Sequence, residues 1–217
     1  MSSNSSSYYD SGYFDWQKDV GQFGGKAEVW KFQPYINQTD KVLDFGCGGG
    51  FVLKNLSCAE KLGVEINPSA RSSCSKLGIE AVADISGVPD NWADVIISNH
   101  ALEHVSDPLD TLKALRHKIR PGGVVIFVVP CESVKTRFER GNIDRHLFTW
   151  SPMNIGNLFE AAGYSVSESK ALLHRWMTKP RFVQNIVGWN LFHFGCWIYG
   201  RLFTRLSQVR VIAHRVT

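Results

Sequence analysis

The chain has 217 residues, enough for one domain with a full core and short for two. Its 44% hydrophobic and 20% charged content is that of an ordinary soluble globular protein. Net charge is only +4, a modest balance for a nucleic-acid binder, but it is uneven: residues 170–217 carry eight Lys/Arg and no acid, which leaves −4 on the first 169.

Residues 1–7, Met-Ser-Ser-Asn-Ser-Ser-Ser, are polar and lack the apolar stretch of a secretory signal, so they are expected to be disordered. The five cysteines are scattered without a C-x-x-C spacing. Neither a disulfide framework nor a metal site is suggested, and a reducing cytoplasm is the expected setting. Tyr8 to Gln38 is rich in aromatic residues, and Gly21, Gly24 and Gly25 break it in the middle. A short helix over Ala27–Gln33, before Pro34, is expected. This region reads either as packing at the domain's edge or as a lid over a ligand.

The stretch Val42-Leu43-Asp44-Phe45-Gly46-Cys47-Gly48-Gly49-Gly50 organises the rest. A strand over about Lys41–Phe45 runs into a glycine turn, and a helix over about Gly49–Ser57 follows, the opening of a nucleotide-binding α/β unit. Glycines suit a turn with unusual φ/ψ that a ligand approaches closely, and the helix start offers free N–H groups. The dinucleotide pattern G-x-G-x-x-G fails in both frames, at Phe51 and at Leu53, and no Gly-Lys-Ser/Thr follows. What remains is Asp-x-Gly-x-Gly, in which a carboxylate suits a cationic ligand and repels a pyrophosphate.

Leu62–Asn67 reads as the second strand. Glu65, 21 residues after Asp44, stands where a carboxylate can accept both hydroxyls of a ribose. Asn67-Pro68-Ser69 opens the next helix. Ile79–Asp84 supplies a third strand, with Asp84 at its end. Ala93–Ser98 is a continuous apolar run expected of a buried central strand, leading into Asn99-His100-Ala101-Leu102-Glu103-His104. Pro108 opens a helix whose Leu109, Leu112, Leu115 and Ile119 keep helical spacing. Arg120–Gly123 reads as a turn and Val124–Pro130 as a fifth strand. Ser151-Pro152 starts a helix through about Ala162, a sixth strand covers about Ser165–Ser169, and Gln208–Arg215 is the seventh.

The Asp-x-Gly-x-Gly turn, the strand followed by Leu102-Glu103-His104, and Pro121-Gly122-Gly123 before the fifth strand together resemble the class I S-adenosylmethionine (SAM) methyltransferases. The likeness is to the small-molecule group, such as the quinone-biosynthesis and cell-surface glycoconjugate methyltransferases. It covers about Lys41–Ser169 and the last strand. It implies a Rossmann-like, doubly wound, seven-stranded α/β sheet, mostly parallel with one late antiparallel strand. The implied layout is a single domain over 1–217, with a lid or tail (1–38), a core (39–175), an aromatic and basic insertion (176–207) and the last strand (208–217). SAM is the implied cofactor, bound around Asp44, Phe45, Gly46, Cys47, Gly48, Glu65, Ile66, Asp84, Ile85, Asn99, His100 and His104. Asp84 and the Ile85 N–H would meet the adenine.

The Asn/Asp-Pro-Pro-Tyr/Phe loop of base and glutamine amino-methyltransferases is missing after the fourth strand, which argues against base N-methylation. An oxygen acceptor must lose its proton, for which histidine is suited near neutral pH; His146 and His100 are the candidates. Cys131 reads as a pocket residue. An RNA methyltransferase and a non-catalytic SAM-binding scaffold are the rival functions; nucleic acid is disfavoured because no nucleic-acid motif is present.

Phe182–Gly200 carries no Lys, Arg, Asp or Glu, is rich in aromatics and is bracketed by Lys179, Arg181, Arg201 and Arg205. Its polar residues and three glycines argue against a membrane span. Three readings stand: a peripheral membrane contact through 181–205 on the cytoplasmic face, a cover over a lipid-linked acceptor, or core packing.

Overall fold

The computed structural model describes residues 21–133, 135–203 and 206–216; the polar residues 1–7 and the aromatics before Gly21 lie outside them. Seven strands form one sheet: β1 (Lys41–Phe45), β2 (Glu60–Val64), β3 (Glu80–Val82), β4 (Ala93–Asn99), β5 (Ile119–Glu132), β6 (Tyr164–Leu172) and β7 (Leu206–Arg215). Their order is β3-β2-β1-β4-β5-β7-β6. Neighbours from β3 to β5 pair in parallel, and β7 runs antiparallel to both β5 and β6. The doubly wound sheet with one late reversed strand is therefore present, and β7 is wedged between β5 and β6.

The helices are α1 (residues 21–27), α2 (Phe51–Asn55), α3 (Pro68–Lys76), α4 (Pro108–Lys118), α5 (Pro152–Ala161) and α6 (Pro180–Leu202). Two apolar layers cover the two faces of the sheet, one including Leu43, Ile96, Phe127 and Phe159, the other Val42, Ile97, Ile126 and Phe32. Successive residues of β1, Val42 and Leu43, thus enter opposite layers, as period-two side-chain geometry requires. Three helices start where sequence placed them, each on a side-chain cap. Asn67 Oδ1 accepts from the Ser69 N–H, Asp107 Oδ1 from the Asp110 N–H, and Ser151 forms a capping box with Asn154.

Several boundaries differ from expectation. β2 begins at Glu60 and ends at Val64, so Glu65, Ile66 and Asn67 lie just beyond the strand rather than in it. α2 is one short turn because Gly50 takes φ 77° before it and Leu56 is extended after it. β5 runs through the expected turn; Gly122 keeps a left-handed φ of 74°, and the register with β4 shifts between Ala93 and Val95. In the N-terminal region the helix lies over 21–27, and 3-10 turns follow at Val29–Lys31 and Gln33–Tyr35, where a single helix over Ala27–Gln33 was expected. Gly21, Gly24 and Gly25 do not interrupt that helix. They let it approach α2, since a Cβ on Gly25 would stand 2.5 Å from the Phe51 carbonyl.

The unmatched stretch before β7 folds as α6, kinked at Gly188 (φ 73°, ψ 174°). Phe192, Cys196 and Gly200, one turn apart, face inward. No helix among the described residues is long and apolar enough to cross a membrane.

Candidate active site

At the carboxyl edge of the parallel strands a cavity of about 620 Å³ opens. Its wall takes Asp44, Gly46, Cys47 and Gly48 from the end of β1, and Asn99, His100, Glu103 and His104 from the end of β4. Cys131, Glu132 and His146 follow from the end of β5 and its loop, and Gly21, Gly24, Gly25 and Glu28 from α1 and the residue after it. His174, Arg175, Trp176 and Gln208 close it from the β6–β7 side. Topology thus collects residues more than 180 positions apart in sequence.

Four N–H groups of the glycine turn are engaged from within. The Gly46 and Cys47 N–H groups both donate to the Val64 carbonyl (2.8 and 3.1 Å), Gly48 N–H donates to Glu65 Oε2 (2.9 Å), and Gly50 N–H to the Cys47 carbonyl (3.0 Å). Those four donors are not left for a phosphate; the free N–H groups expected of the helix start belong to α2, which begins after them at Phe51. Gly46 holds φ 74°, and a Cβ there would sit 2.3 Å from that of Ala101, so the residue must be glycine for both reasons.

Charge in the cavity has one dominant sign. Five carboxyl groups (Glu28, Asp44, Glu103, Glu132 and Asp144) face a single arginine, Arg175. Asp44 is 3% exposed, and burial, with the nearby charge of Glu65, pushes its carboxyl up to about 8. Burial also raises Glu65, partly offset by N–H bonds from Asn67 and Gly48. Glu28 is ion-paired with Lys31 behind the wall, and a cationic ligand would add counter-charge for the other carboxyls. A pyrophosphate would be repelled.

At the far wall, the Glu103 carboxylate is fully buried, and neither oxygen has a hydrogen-bond partner among the described residues. Three imidazoles surround it: His100 Nδ1 at 3.4 Å, His146 Nε2 at 3.9 Å and His104 Nε2 at 4.0 Å from Oε1. His146 Nδ1 lies 2.7 Å from Glu132 Oε1. The loop is tied down by Leu147 N–H donating to the Glu103 carbonyl (2.9 Å). Burial holds His104 below the usual imidazole range. Glu103, His104 and His146 also place one donor atom each within 4.8 Å of one another, a geometry a cation could use. Sequence spacing suggested no metal site, because His146 joins the pair only through the fold.

Of the residues expected around the cofactor, Asp44, Gly46, Cys47, Gly48, Asn99, His100 and His104 line the cavity, as does His146. Phe45 does not; its ring stacks on Phe127 in the core at 6.4 Å. Glu65 stands behind the turn, and Ile66 beside it is half exposed. Asp84 and Ile85 stand outside the cavity wall: Asp84 is exposed and caps the 3-10 turn Ile85–Gly87 through Ser86 N–H (2.8 Å), while Ile85 packs on the core. Glu28 and Glu132 escaped sequence reading, as isolated acids do without a spatial partner, and Glu103 was named only as part of the Leu102-Glu103-His104 motif.

A doubly wound sheet with β7 reversed, an acid and glycine turn after β1 and an acidic cavity over the strand ends defines a SAM-dependent methyltransferase. The family model described as a methyltransferase domain matches residues 25–169, and the chain belongs to that family. It is a SAM-dependent methyltransferase enzyme. A ubiquinone biosynthesis O-methyltransferase of Nitrosospira multiformis is 28% identical, the match covering 64% of this chain and 68% of that one. Among solved structures, a putative methyltransferase from Haloferax volcanii, in complex with the activator Trm112, superposes with a TM-score of 0.70 over 100% of both chains at 16% identity. A SAM-dependent methyltransferase from Archaeoglobus fulgidus does so at 0.65, covering 95% of this chain and 100% of that one at 20% identity.

Proposed function

We propose that this enzyme methylates an oxygen of a small-molecule, sugar or lipid-linked acceptor. The observation that carries this reading is His146, held by Glu132 and facing Glu103 in the wall of an acidic cavity. The named O-methyltransferase activity of the similar curated proteins supports it.

Asp44, Gly46, Cys47 and Gly48 would hold the amino-acid end of SAM, with Asn99, His100 and His104 beside it. Glu65 would accept the ribose hydroxyls, since each of its oxygens accepts one N–H and keeps a second lone pair. Ile66 offers an exposed apolar side chain for the adenine, and Asp84 with the Ile85 N–H would meet its edge. SAM supplies a methyl group on a sulfonium, which leaves as a neutral thioether. The protein's part is alignment, exclusion of water and removal of the acceptor's proton. With Nδ1–H donating to Glu132, His146 Nε2 is free to take that proton, and the two carboxylates stabilise the resulting imidazolium.

A second reading rests on the Glu103–His104–His146 grouping: a divalent cation held there would lower the acceptor hydroxyl's pKa directly. Chelator treatment separates the two, abolishing activity in the second case only. The aromatic segment 181–205 is proposed to bring the enzyme to the cytoplasmic face of a membrane; Arg205 lies outside the described residues.

Calorimetric titration with SAM, wild type against Glu65→Ala, tests the cofactor assignment. Losing the charged hydrogen bonds should weaken binding by about 1.5–3 kcal/mol in a folded variant. Unchanged affinity would remove Glu65 from the ribose site.

A further inference from the structure

The outer face of α6 has the chemistry of a lipid-contacting surface. Leu191, Phe194, Ile198 and Leu202 follow one another at intervals of three and four, and are 62%, 59%, 41% and 72% exposed. Phe182 and Ile186 continue the apolar surface beyond the Gly188 kink. The opposite side of the same helix packs inward through Phe192 and Cys196, so α6 is apolar on both sides. One side has a core to enter. The other faces solvent in the described structure.

Charge selects what covers it. Lys179, Arg181 and Arg201 are exposed along the helix, and Arg201 lies over the Trp197 ring at 3.4 Å. From Lys170 to Thr217 the sequence has no acid to neutralise them. Two copies joined through this face would bring like charges together, whereas an anionic headgroup layer complements them. A cation stacked on an exposed tryptophan, beside a row of aliphatic and phenyl groups, matches the layered polarity of a bilayer interface. Since α6 is not apolar enough to cross, it would lie in the plane.

We propose that α6 docks the enzyme on an anionic lipid bilayer, with Leu191, Phe194, Ile198 and Leu202 entering the acyl boundary and Lys179, Arg181 and Arg201 meeting the headgroups. This deepens the membrane contact proposed above by naming the inserting face and the lipid charge it requires. The site's position has a consequence for substrate entry. Phe23 of α1 packs on Trp189 and Phe192 of α6 and on Trp176 of the cavity wall, so the helix that carries the docking face is joined by its inner side to the wall of the catalytic cavity. An amphipathic acceptor would reach the cavity from the lipid phase.

The test is co-sedimentation of the full chain with vesicles of phosphatidylcholine alone and of phosphatidylcholine with phosphatidylglycerol. It needs neither SAM nor an acceptor, so its outcome is independent of the methylation chemistry. Expected are binding to the anionic vesicles that weakens with salt, and little binding to the neutral ones. Leu191→Glu/Ile198→Glu should lower the partition coefficient about tenfold or more, with SAM affinity and melting temperature unchanged. Should that variant not fold, Arg181→Glu/Arg201→Glu provides the second reading: it should abolish the preference for anionic lipid. No vesicle binding, equal binding to both vesicle types, binding that survives these substitutions, or a dimer formed through this face in its place would overturn the proposal.

Discussion

Asp44 shows how one residue can couple ligand charge to stability. Its carboxyl rises from an ordinary value of 3.8 to about 8 because it is buried and faces Glu65. The folded state therefore holds this proton more tightly than the unfolded chain does. Stability contributed by the protonated form is complete below about pH 4 and is lost as pH climbs towards about 8. Melting of the ligand-free protein should fall across that window, and Asp44→Asn should flatten the decline. Binding of cationic SAM below pH 8 should expel the proton, so the calorimetric enthalpy will vary with the ionisation enthalpy of the buffer. The Asn variant should lose both that dependence and roughly 1.5–3 kcal/mol of affinity. A second residue-scale expectation concerns His146. His146→Ala should lower kcat by about 10²–10⁴-fold without altering SAM affinity, and Glu132→Gln should show a smaller loss with a shifted pH profile. Wild-type kcat in the His146→Ala variant would exclude His146 as the base.

At the scale of elements, the approach of α1 to α2 decides whether the cavity has a roof. Gly25 is the point of closest approach, with space for no side chain against Phe51. Gly25→Ala should push the helix away, costing about 1–3 kcal/mol in thermal unfolding and loosening SAM binding together. A stable variant with unchanged affinity would mean that α1 is not part of the ligand-binding wall. The three glycines here look like helix breakers in sequence, because propensity registers their entropy cost and not the neighbour they admit. Caps behave in the opposite way. Asn67, Asp107 and Ser151 act on N–H groups two or three residues away, so the helix starts they set were legible without any tertiary information.

Across the whole molecule, Lys31 joins parts that sequence holds far apart. Its ammonium, 1% exposed, is ion-paired with Glu28 and donates to Asn99 Oδ1 of β4 (3.3 Å) and Gln208 Oε1 of β7 (2.6 Å). All three partners line the cavity. Lys31→Met should destabilise the fold by roughly 3–5 kcal/mol, measured by denaturant titration, because Glu28 is left buried and unpaired. Glu28→Gln combined with Lys31→Met should recover part of that loss. Lack of coupling between the two in a double-mutant cycle would show that the pair does not act as a unit.

Local chemistry determined what could be read directly. Apolar runs named the strands, caps named the helix starts, and the Asp44–Gly50 turn argued against a dinucleotide, its resemblance to the SAM methyltransferases implying the cofactor. Each of those signals acts within a few residues, over distances that chain geometry itself sets. The tertiary structure alone decided that four of the turn's N–H groups are satisfied internally, that Glu103 sits among three histidines, that Asp84 stands outside the cavity wall, and that one side of α6 has no covering partner among the described residues. These depend on which side chains meet across the sheet edge. Burial, desolvation and pairing are properties of that meeting, and no single segment carries them.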